Sequence, residues 1–486
     1  MEAFSDLRMP HLIFDSHKIR SRIGYLCRTD LDTISADYQT RSYYNNGGAL
    51  LWIARIGIGG RADSLLAVLK TVDKMGFTRR SFDVDEIESD LSRVRNLDFD
   101  DGDNSINDVM ARLEFRLTKS YLRYVIGQRF GFVNPYYVFN RLDLKDSDDS
   151  LRRTNVYRRL FDIDIERPDK DFAVAALRRV RNDSVGAFLR SIQPESGLYY
   201  RLQRELDGKS DHAARMKILC NMERCRWRKT GVPDTTGKFI VVNVPAYSLY
   251  AYGGDDVMEM RIGCGAMKTK TPLLISAINR MDVNPVWNIP YSIISKEVAP
   301  HAGDISYFER NRYYVVEKST GDHVDPEEMT PAMFKSGRYA VIQEGGEGNS
   351  LGRIIFRFPN NFSVYLHDTS SSGVFNRENR SVSHGCVRVQ RPFDLALFLL
   401  GDADEWLIDK LRISMDMKPE TDRGRKFMRR EPEDTRLVHS LKVAPAIPVF
   451  ITYYTMYPGK DGSLCSYPDV YGYDKVMSNH IKPFMK

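Results

Sequence analysis

The hydrophobic pattern of this sequence changes its period close to residue 230, and this change restricts the possible folds more than any other feature. Within 106–130, apolar residues recur at spacings of three and four, which is typical of an amphipathic helix. After residue 230, runs of β-branched and aromatic residues are separated by turn residues, which predicts strands. We therefore predict a multidomain α+β protein, with a mainly helical domain over 1–230 and a mainly β domain over 231–486.

The second half contains a series of short strand candidates. We predict strands at 239–244, 247–252, 257–262, 313–316, 339–343, 354–358, 363–366 and 449–457, and a helix at 392–401. The stretch 291–338 contains several Pro and Gly residues, so we predict that it is an inserted subdomain of loops and short helices outside the main sheet.

The composition is that of an ordinary globular protein. Hydrophobic residues make up 42% of the 486 residues, which is enough to bury a sizeable core. The formal net charge of +6 is small for this length and suits either an evenly charged surface or an anionic polymer as a partner. No run combines basic and aromatic residues as a nucleic-acid surface does, so we expect no nucleic-acid partner.

The sequence gives no sign of a membrane segment. No run of about 20 apolar residues is present, so we predict no transmembrane segment. The first residues lack the apolar core of a signal peptide, which leaves either a cytosolic protein or a processed, exported chain.

The segment 365–389 contains the residues best suited to chemistry. Cys386 follows His384 and Gly385, and His367 lies at the end of a predicted strand. A cysteine nucleophile reacts as its thiolate, and a nearby imidazole can accept the proton. The glycine permits a tight turn whose backbone N–H groups can converge on an oxyanion. On these residues alone, Cys386 can also be a small buried side chain without a chemical role.

Metal binding is a weaker interpretation of the same residues. His367, His384 and Cys386 offer three ligands, but no fourth is evident and His-x-Cys is not a typical zinc pair. The six cysteines are too few for a disulfide scaffold, and Cys220 and Cys225 form a C-x4-C spacing without a second pair nearby. We therefore expect no metal and no cofactor, and the sequence fixes no disulfide pairing.

The segment resembles the signature of the L,D-transpeptidase (YkuD) family. That signature has a His, then some 15 residues, then Ser/Thr-His-Gly-Cys and a short pair of an apolar residue with Arg or Asn. In this sequence His367 is followed by fifteen residues and then by Ser383-His384-Gly385-Cys386-Val387-Arg388. The residue types and their spacing coincide together, which makes the resemblance specific.

The resemblance extends beyond the motif to the large, YcbB-like branch of that family. The segments NMERCRWRK (221–229), GKFIVVNVPAYSLYAY (237–252), NPVWNIPYSI (284–293) and GNSLGRIIFRFPN (348–360) look like landmarks of that branch. The helical first half looks like its scaffold domain, and 291–338 looks like its capping subdomain. One departure is that the chain leaves no room for the small peptidoglycan-binding module that the branch often carries before the 221–229 segment.

The resemblance implies an acyl transfer on bacterial peptidoglycan. Cys386 would attack the carbonyl of the L-centre in a donor tetrapeptide stem and release D-Ala, and an amine of a second stem would then take the acyl group in a 3→3 cross-link. His367 would act as the base, oriented by the main-chain carbonyl of Asp368. The resemblance further implies that backbone N–H groups around His384, Gly385 and Cys386 form the oxyanion hole. It also implies Ser383 for the turn, and Arg388, Tyr365 and Trp287 for substrate binding.

The resemblance also implies partners and a location. Donor and acceptor stem peptides are the expected partners, other cell-wall enzymes are possible ones, and the expected location is outside the cytoplasm, in the periplasm. It further implies acylation by carbapenems. Two alternatives stay open: an L,D-carboxypeptidase that hydrolyses the same thioester, and a catalytically silent wall-binding scaffold. The identity of the acceptor also stays open.

Overall fold

The first half of the chain folds into helices around one long, buried helix. The computed structural model describes residues 13–54, 57–144, 156–254 and 256–485. Helix α5 is surrounded by the others and is buried along nearly its whole length. The elements are α1 (Ser16–Thr29), α2 (Ser35–Asn45), β1 (Ile53–Ala54), β2 (Gly57–Ile58), α3 (Gly60–Leu69), α4 (Val84–Asn96), α5 (Ile106–Phe130), α6 (Pro135–Phe139), β3 (Phe161–Asp162), α7 (Lys170–Arg181), α8 (Val185–Ser191), α9 (Gly197–Leu206) and α10 (His212–Arg226).

The buried carboxylate of Glu114, in α5, binds the backbone of residues 51–53, which lie between α2 and α3. Glu114 accepts hydrogen bonds from the backbone N–H groups of Leu51, Trp52 and Ile53, at 2.6, 2.9 and 3.2 Å. These bonds compensate for the burial of both the carboxylate and the loop backbone, because buried polar groups are costly unless they are paired. The segment 106–130, predicted as an amphipathic helix, is therefore a helix that other parts of the chain cover on several sides.

The second half forms one large sheet with an insertion between its strands. The first strands are β4 (Phe239–Asn243), β5 (Ser248–Gly253), β6 (Asp256–Gly265) and β7 (Leu273–Val283). The insertion contains β8 (Trp287–Asn288), α11 (Tyr291–Ile293), α12 (Ile305–Asn311), β9 (Tyr313–Glu317), β10 (His323–Val324), α13 (Pro331–Lys335) and β11 (Tyr339–Gln343). The remaining elements are β12 (Ile354–Arg357), β13 (Leu366–His367), β14 (Ser381–Ser383), β15 (Val387–Val389), α14 (Pro392–Leu400), α15 (Glu405–Ser414), α16 (Asp422–Met428), β16 (Ser440–Thr452), β17 (Met456–Pro458), β18 (Leu464–Ser466) and α17 (Tyr473–Ile481).

The strands of the large sheet pair in a closed ring. Their order is β12-β13-β15-β6-β5-β4-β16-β7, and β7 also pairs with β12, which closes the ring. Strand β14 pairs with β6 and β3 pairs with β7. The prediction of a helical first half followed by a mainly β second half is thus confirmed.

Several strand predictions need correction. The predicted strand at 363–366 is wrong at its start, because β13 covers only Leu366–His367 and Ser363 has a φ of +54°. The Asn360 side chain explains the delay, since it bonds the backbone of both Phe362 and Val364 and so forms a turn there. Strand β16 begins well before the predicted 449, and the long strand β7 was not predicted.

The inserted subdomain has a sheet and a core of its own. Strands β10, β9, β11 and β8 form a separate four-stranded sheet, in which β9 and β11 match the strands predicted at 313–316 and 339–343, whereas the prediction of loops and short helices for 291–338 missed the sheet. A separate apolar cluster that includes Phe308, Phe334 and Val341 fills it. Because β8 and β11 pair at its base, we propose that the folded unit is 287–343, wider than the predicted 291–338. We call residues 287–343 the cap.

The helical and β halves share one apolar core. Strand β3 of the first half pairs with β7, and α17 of the second half packs on α10. The Phe484 ring lies 5.3 Å from Phe77 and 4.8 Å from Phe132, centroid to centroid. The predicted boundary at residue 230 thus marks a change of secondary structure inside a shared core.

The cysteines and the helices give two further findings. All six cysteines are free thiols, and burial raises the pKa of the Cys220 and Cys264 thiols. Across the described ranges, no helix has the length and apolar character needed to span a bilayer.

The shared core predicts that the C-terminus stabilises the helical half. Phe484→Ala should lower the free energy of unfolding by about 3–5 kcal/mol, because it removes a buried ring from an aromatic cluster. Urea unfolding followed by circular dichroism measures this. Tyr38→Ala, at an exposed site of α2, is the control and should change it by less than about 0.5 kcal/mol. A loss below about 1 kcal/mol for Phe484→Ala would contradict the shared core.

Candidate active site

Two short parallel strands bring His367 and Cys386 together. In the β13–β15 pair, Leu366 lies opposite Val387 and His367 lies opposite Arg388. Leu366 and Val387 are both fully buried on the core side. Because side chains alternate along a strand, Tyr365, His367, Cys386 and Arg388 share the other side. Residues that are 19 positions apart in sequence thus form one cluster.

The His367 ring is buried and held in one tautomer. Its Nδ1 lies 2.5 Å from the main-chain carbonyl oxygen of Asp368. A carbonyl only accepts, so Nδ1 carries the hydrogen and Nε2 is the basic nitrogen. Burial and the nearby Arg388 charge lower the pKa of His367 to about 4, although the carbonyls of Asp368 and Leu351 act in the opposite direction. The imidazole is therefore neutral at ordinary pH.

The Cys386 thiol is also neutral. Burial raises its pKa to about 11, and this effect outweighs the Tyr365 contacts and the charges of Arg357 and Arg388, which favour the thiolate. Its Sγ lies 3.8 Å from the carbonyl oxygen of Ser363. At rest, both the thiol and the imidazole are therefore neutral.

The turn before Cys386 is fixed by Ser383 and Gly385. The Ser383 hydroxyl donates to the carbonyl of Cys386 at 2.5 Å and accepts from the N–H of Gly385 at 3.1 Å. Gly385 has a φ of +121°, in the region that favours glycine. The Gly385 N–H is therefore already hydrogen-bonded inside the turn and is not available to a ligand.

The Asp368 side chain supports a neighbouring turn. Its two carboxylate oxygens accept from the N–H groups of Arg353 and Thr369, at 2.8 and 2.7 Å. Only its main-chain carbonyl contacts the His367 ring.

The Arg388 guanidinium lies beside the pair without an acidic partner. In the part of the chain that the structure describes, no carboxylate forms an ion pair with it, and its buried Nε has no hydrogen-bond acceptor. Burial and the repulsion of Arg377 lower the pKa of Arg388, although the nearby Cys386 opposes this effect. An unpaired, partly buried guanidinium is suited to bind a carboxylate.

A groove of about 450 Å³ runs between the cap and the sheet next to the thiol. Trp287, Tyr291, Lys318, Arg357, Ser363 and Tyr365 are among its lining residues. The Tyr365 ring lies 5.8 Å from the His367 ring and 5.5 Å from the Arg357 guanidinium. The groove therefore joins aromatic walls to cationic groups beside Cys386, which suits a ligand with carboxylates.

The His384 side chain faces the cap. Its Nε2 lies 2.7 Å from a carboxylate oxygen of Glu297, and both side chains are about half exposed. The turn at 383–386 ends on the candidate nucleophile Cys386, and we call it the nucleophile turn. His384 thus connects this turn to the cap. In the described residues no group of three side chains is arranged to hold a metal ion, so the metal interpretation of His367, His384 and Cys386 finds no geometric support.

Several residues at the site escaped sequence reasoning. Thr269 and Thr271 donate to the carbonyls of Ser383 and Gly385, at 2.8 and 2.9 Å. Glu297 contacts the turn from the cap, and Arg357 lines the groove. No local motif identifies any of them, because each reaches the site from a distant segment.

Two kinds of comparison show which known proteins this chain is similar to. Residues 237–409 match the family model of the L,D-transpeptidase catalytic domain, and residues 38–206 match that of a scaffold domain. A Haemophilus influenzae protein named "Putative L,D-transpeptidase" is 29% identical over 320 residues. This stretch covers 64% of the present chain and 60% of the relative, so the match spans three fifths of that protein.

The raised pKa of Cys386 predicts how the rate of its reaction with an alkylating reagent depends on pH. Alkylation by iodoacetamide should become faster by about tenfold per pH unit from pH 7 to 10, because the thiolate fraction rises until the pH passes a pKa of about 11. Mass spectrometry of the Cys386 peptide gives the rates, and Cys386→Ala identifies the peptide. A rate that is constant above pH 6 would instead indicate a preformed thiolate–imidazolium pair.

Proposed function

We propose that the chain cross-links bacterial peptidoglycan through an acyl-enzyme on Cys386, as a member of the L,D-transpeptidase (YkuD) family, whose catalytic-domain model matches residues 237–409. The order of a scaffold domain before the catalytic domain is consistent with the large branch of this family. The observation that carries the proposal is the parallel β13–β15 pairing, which sets Cys386 and His367 on one face of the sheet.

Acylation is the first step. The Cys386 thiol proton passes to Nε2 of His367 as Sγ bonds to the carbonyl carbon of the L-centre in a donor tetrapeptide stem. The resulting oxyanion is stabilised by a backbone N–H of the nucleophile turn, in which the Gly385 N–H is already bonded to Ser383. The C–N bond to D-Ala then breaks, and the leaving amine takes the proton from the imidazolium. A thioester and free D-Ala result.

Transfer to an acceptor is the second step. An amine of a second stem adds to the thioester carbonyl, and His367 takes a proton from that amine. The C–S bond breaks, and the departing sulfur recovers the proton from the imidazolium. A 3→3 peptide cross-link forms, and the neutral thiol–imidazole pair is restored.

The charges of the groove support a peptide-stem substrate. Arg388 lacks an acidic partner among the described residues and can bind a stem carboxylate, while Trp287 and Tyr365 provide walls for the stem. Such a substrate implies work outside the cytoplasm, so we propose an exported, periplasmic enzyme. Donor and acceptor stems are its partners, and other cell-wall enzymes are candidates for contact with the scaffold.

Intact-mass analysis after incubation with a disaccharide-tetrapeptide tests the function. We expect a covalent adduct of the stem without its D-Ala on the wild type, no adduct on Cys386→Ala, and a dimeric muropeptide in solution. Product formation should fall by at least about 10³-fold in the variant, because the nucleophile is lost. Tripeptide without dimer would support the carboxypeptidase alternative. An absence of adduct and product would contradict catalysis and favour a wall-binding scaffold.

The position of the cap beside the groove predicts that it keeps water away from the thioester. Trp287 and Gln343 are β partners at its base, so an Asn-Gly turn can replace 288–342 while the main core stays closed. This variant should raise the ratio of tripeptide to dimer about threefold or more, because the exposed thioester meets more water. Chromatography of the products gives the ratio.

A smaller change tests the same contact. Glu297→Gln weakens the bond to His384 and should shift the product ratio in the same direction by less. Glu309→Gln, at an exposed position of the cap, is the matched control and should leave the ratio unchanged. An unchanged ratio in the cap-deleted enzyme would refute the closing role.

A further inference from the structure

The nucleophile turn rests on a short segment with alternating threonines. Thr269 and Thr271 follow β6, and each donates its hydroxyl to a carbonyl of the turn. The carbonyl of Ser383 also accepts from the N–H of Ala266 at 2.8 Å. The carbonyl of Gly385 accepts from the Thr271 hydroxyl.

These bonds set the direction of the amides that follow. In a trans peptide the C=O of one residue and the N–H of the next point in opposite directions. The Gly385 carbonyl points at Thr271, which is fully buried. The Cys386 N–H therefore points in the opposite direction, away from the buried Thr271.

The Cys386 N–H is available for a ligand. Within the described ranges no acceptor bonds it, whereas the Gly385 N–H is bonded to the Ser383 hydroxyl. A backbone N–H that is free, held in direction and adjacent to the nucleophile meets the requirements of an oxyanion donor.

The Thr271 hydroxyl is itself held in place. It accepts from the N–H of Gly265 at 2.9 Å while it donates to Gly385. The Tyr471 hydroxyl holds the backbone of the same segment. It accepts from the N–H of Thr271 at 3.1 Å and donates to the carbonyl of Gly265 at 2.7 Å. A Cβ on Gly265 would lie 2.1 Å from the carbonyl oxygen of Thr269, so this support is tightly packed.

We propose that Thr271 is a positioning residue for acylation, because its hydroxyl holds the Gly385–Cys386 peptide so that the Cys386 N–H binds the oxyanion. Tyr471 acts indirectly, because its hydroxyl fixes the backbone of Thr271. This inference rests on the proposed function, since it requires Cys386 to form an acyl-enzyme.

Two reagents separate positioning from general stability. A carbapenem reacts when Cys386 Sγ adds to the β-lactam carbonyl, the C–N bond of the ring breaks, and the ring nitrogen takes the thiol proton. That route passes through an oxyanion. Iodoacetamide reacts when Sγ displaces iodide from the CH₂ group and the thiol proton goes to the solvent, so no oxyanion forms. Only the first reaction depends on the Cys386 N–H.

The test compares both rates in the wild type, Thr271→Val and Thr271→Ser by intact mass. Thr271→Val should acylate about 10- to 100-fold more slowly and alkylate within about twofold of the wild type, because only the oxyanion donor is disturbed. Thr271→Ser keeps the hydroxyl and should restore acylation. If Thr271→Val does not fold, Tyr471→Phe replaces it, with acylation expected to fall about threefold or more at an unchanged alkylation rate.

Three outcomes would overturn the proposal. Equal loss of both rates would mean that Thr271 only stabilises the fold, and unchanged acylation would mean that the peptide holds its direction without the hydroxyl. Failure of the wild type to acylate while Cys386 alkylates would refute the proposed function, and with it this role. The wild-type result thus separates failure of the function from failure of the positioning role.

Discussion

The parallel pairing of β13 with β15 is the constraint on which the site depends. Each strand is only two or three residues long, and such short strands are marginal alone. They persist because β12 and β6 pair on their outer sides within the closed ring of strands. The register then follows from burial: a shift by one residue would move Leu366 and Val387 out of the core. The same register places His367 and Cys386 on the opposite face.

Burial of His367 and Cys386 sets the electrostatics of that face. Low solvent access penalises both charged forms, so the thiol and the imidazole remain neutral before a reaction begins. Charge then develops mainly during the reaction, where oriented dipoles have their largest effect. Arg357, which lines the groove, and Arg388 both lie close enough to the sulfur to favour its anionic form, so an anionic intermediate would form in a positive environment.

The helical half is coupled to this site through the shared core. Strand β3 joins the edge of β7, and Lys270, between the two supporting threonines, forms an ion pair with Asp143 of the first half at 2.6 Å. The loop after β6, which supports the nucleophile turn, is therefore held by contacts from both halves. A scaffold that only tethered the enzyme would not need to reach this loop.

The sequence alone determined the order of the halves and indicated Cys386 and His367 as the candidate reactive pair. The helix at 106–130 and the strands near residues 240–262 follow from local periodicity, and the Ser383–Arg388 motif with His367 is a local pattern of residue types. Only the tertiary structure decided that Thr271, Tyr471 and Glu297 support the motif and that the cap has its own sheet. The start of β13 was also mispredicted, because a side-chain turn at Asn360 overrides the strand pattern. Periodicity reports which faces are buried, whereas these contacts join segments that are distant in sequence, and nothing in their local pattern encodes the partner.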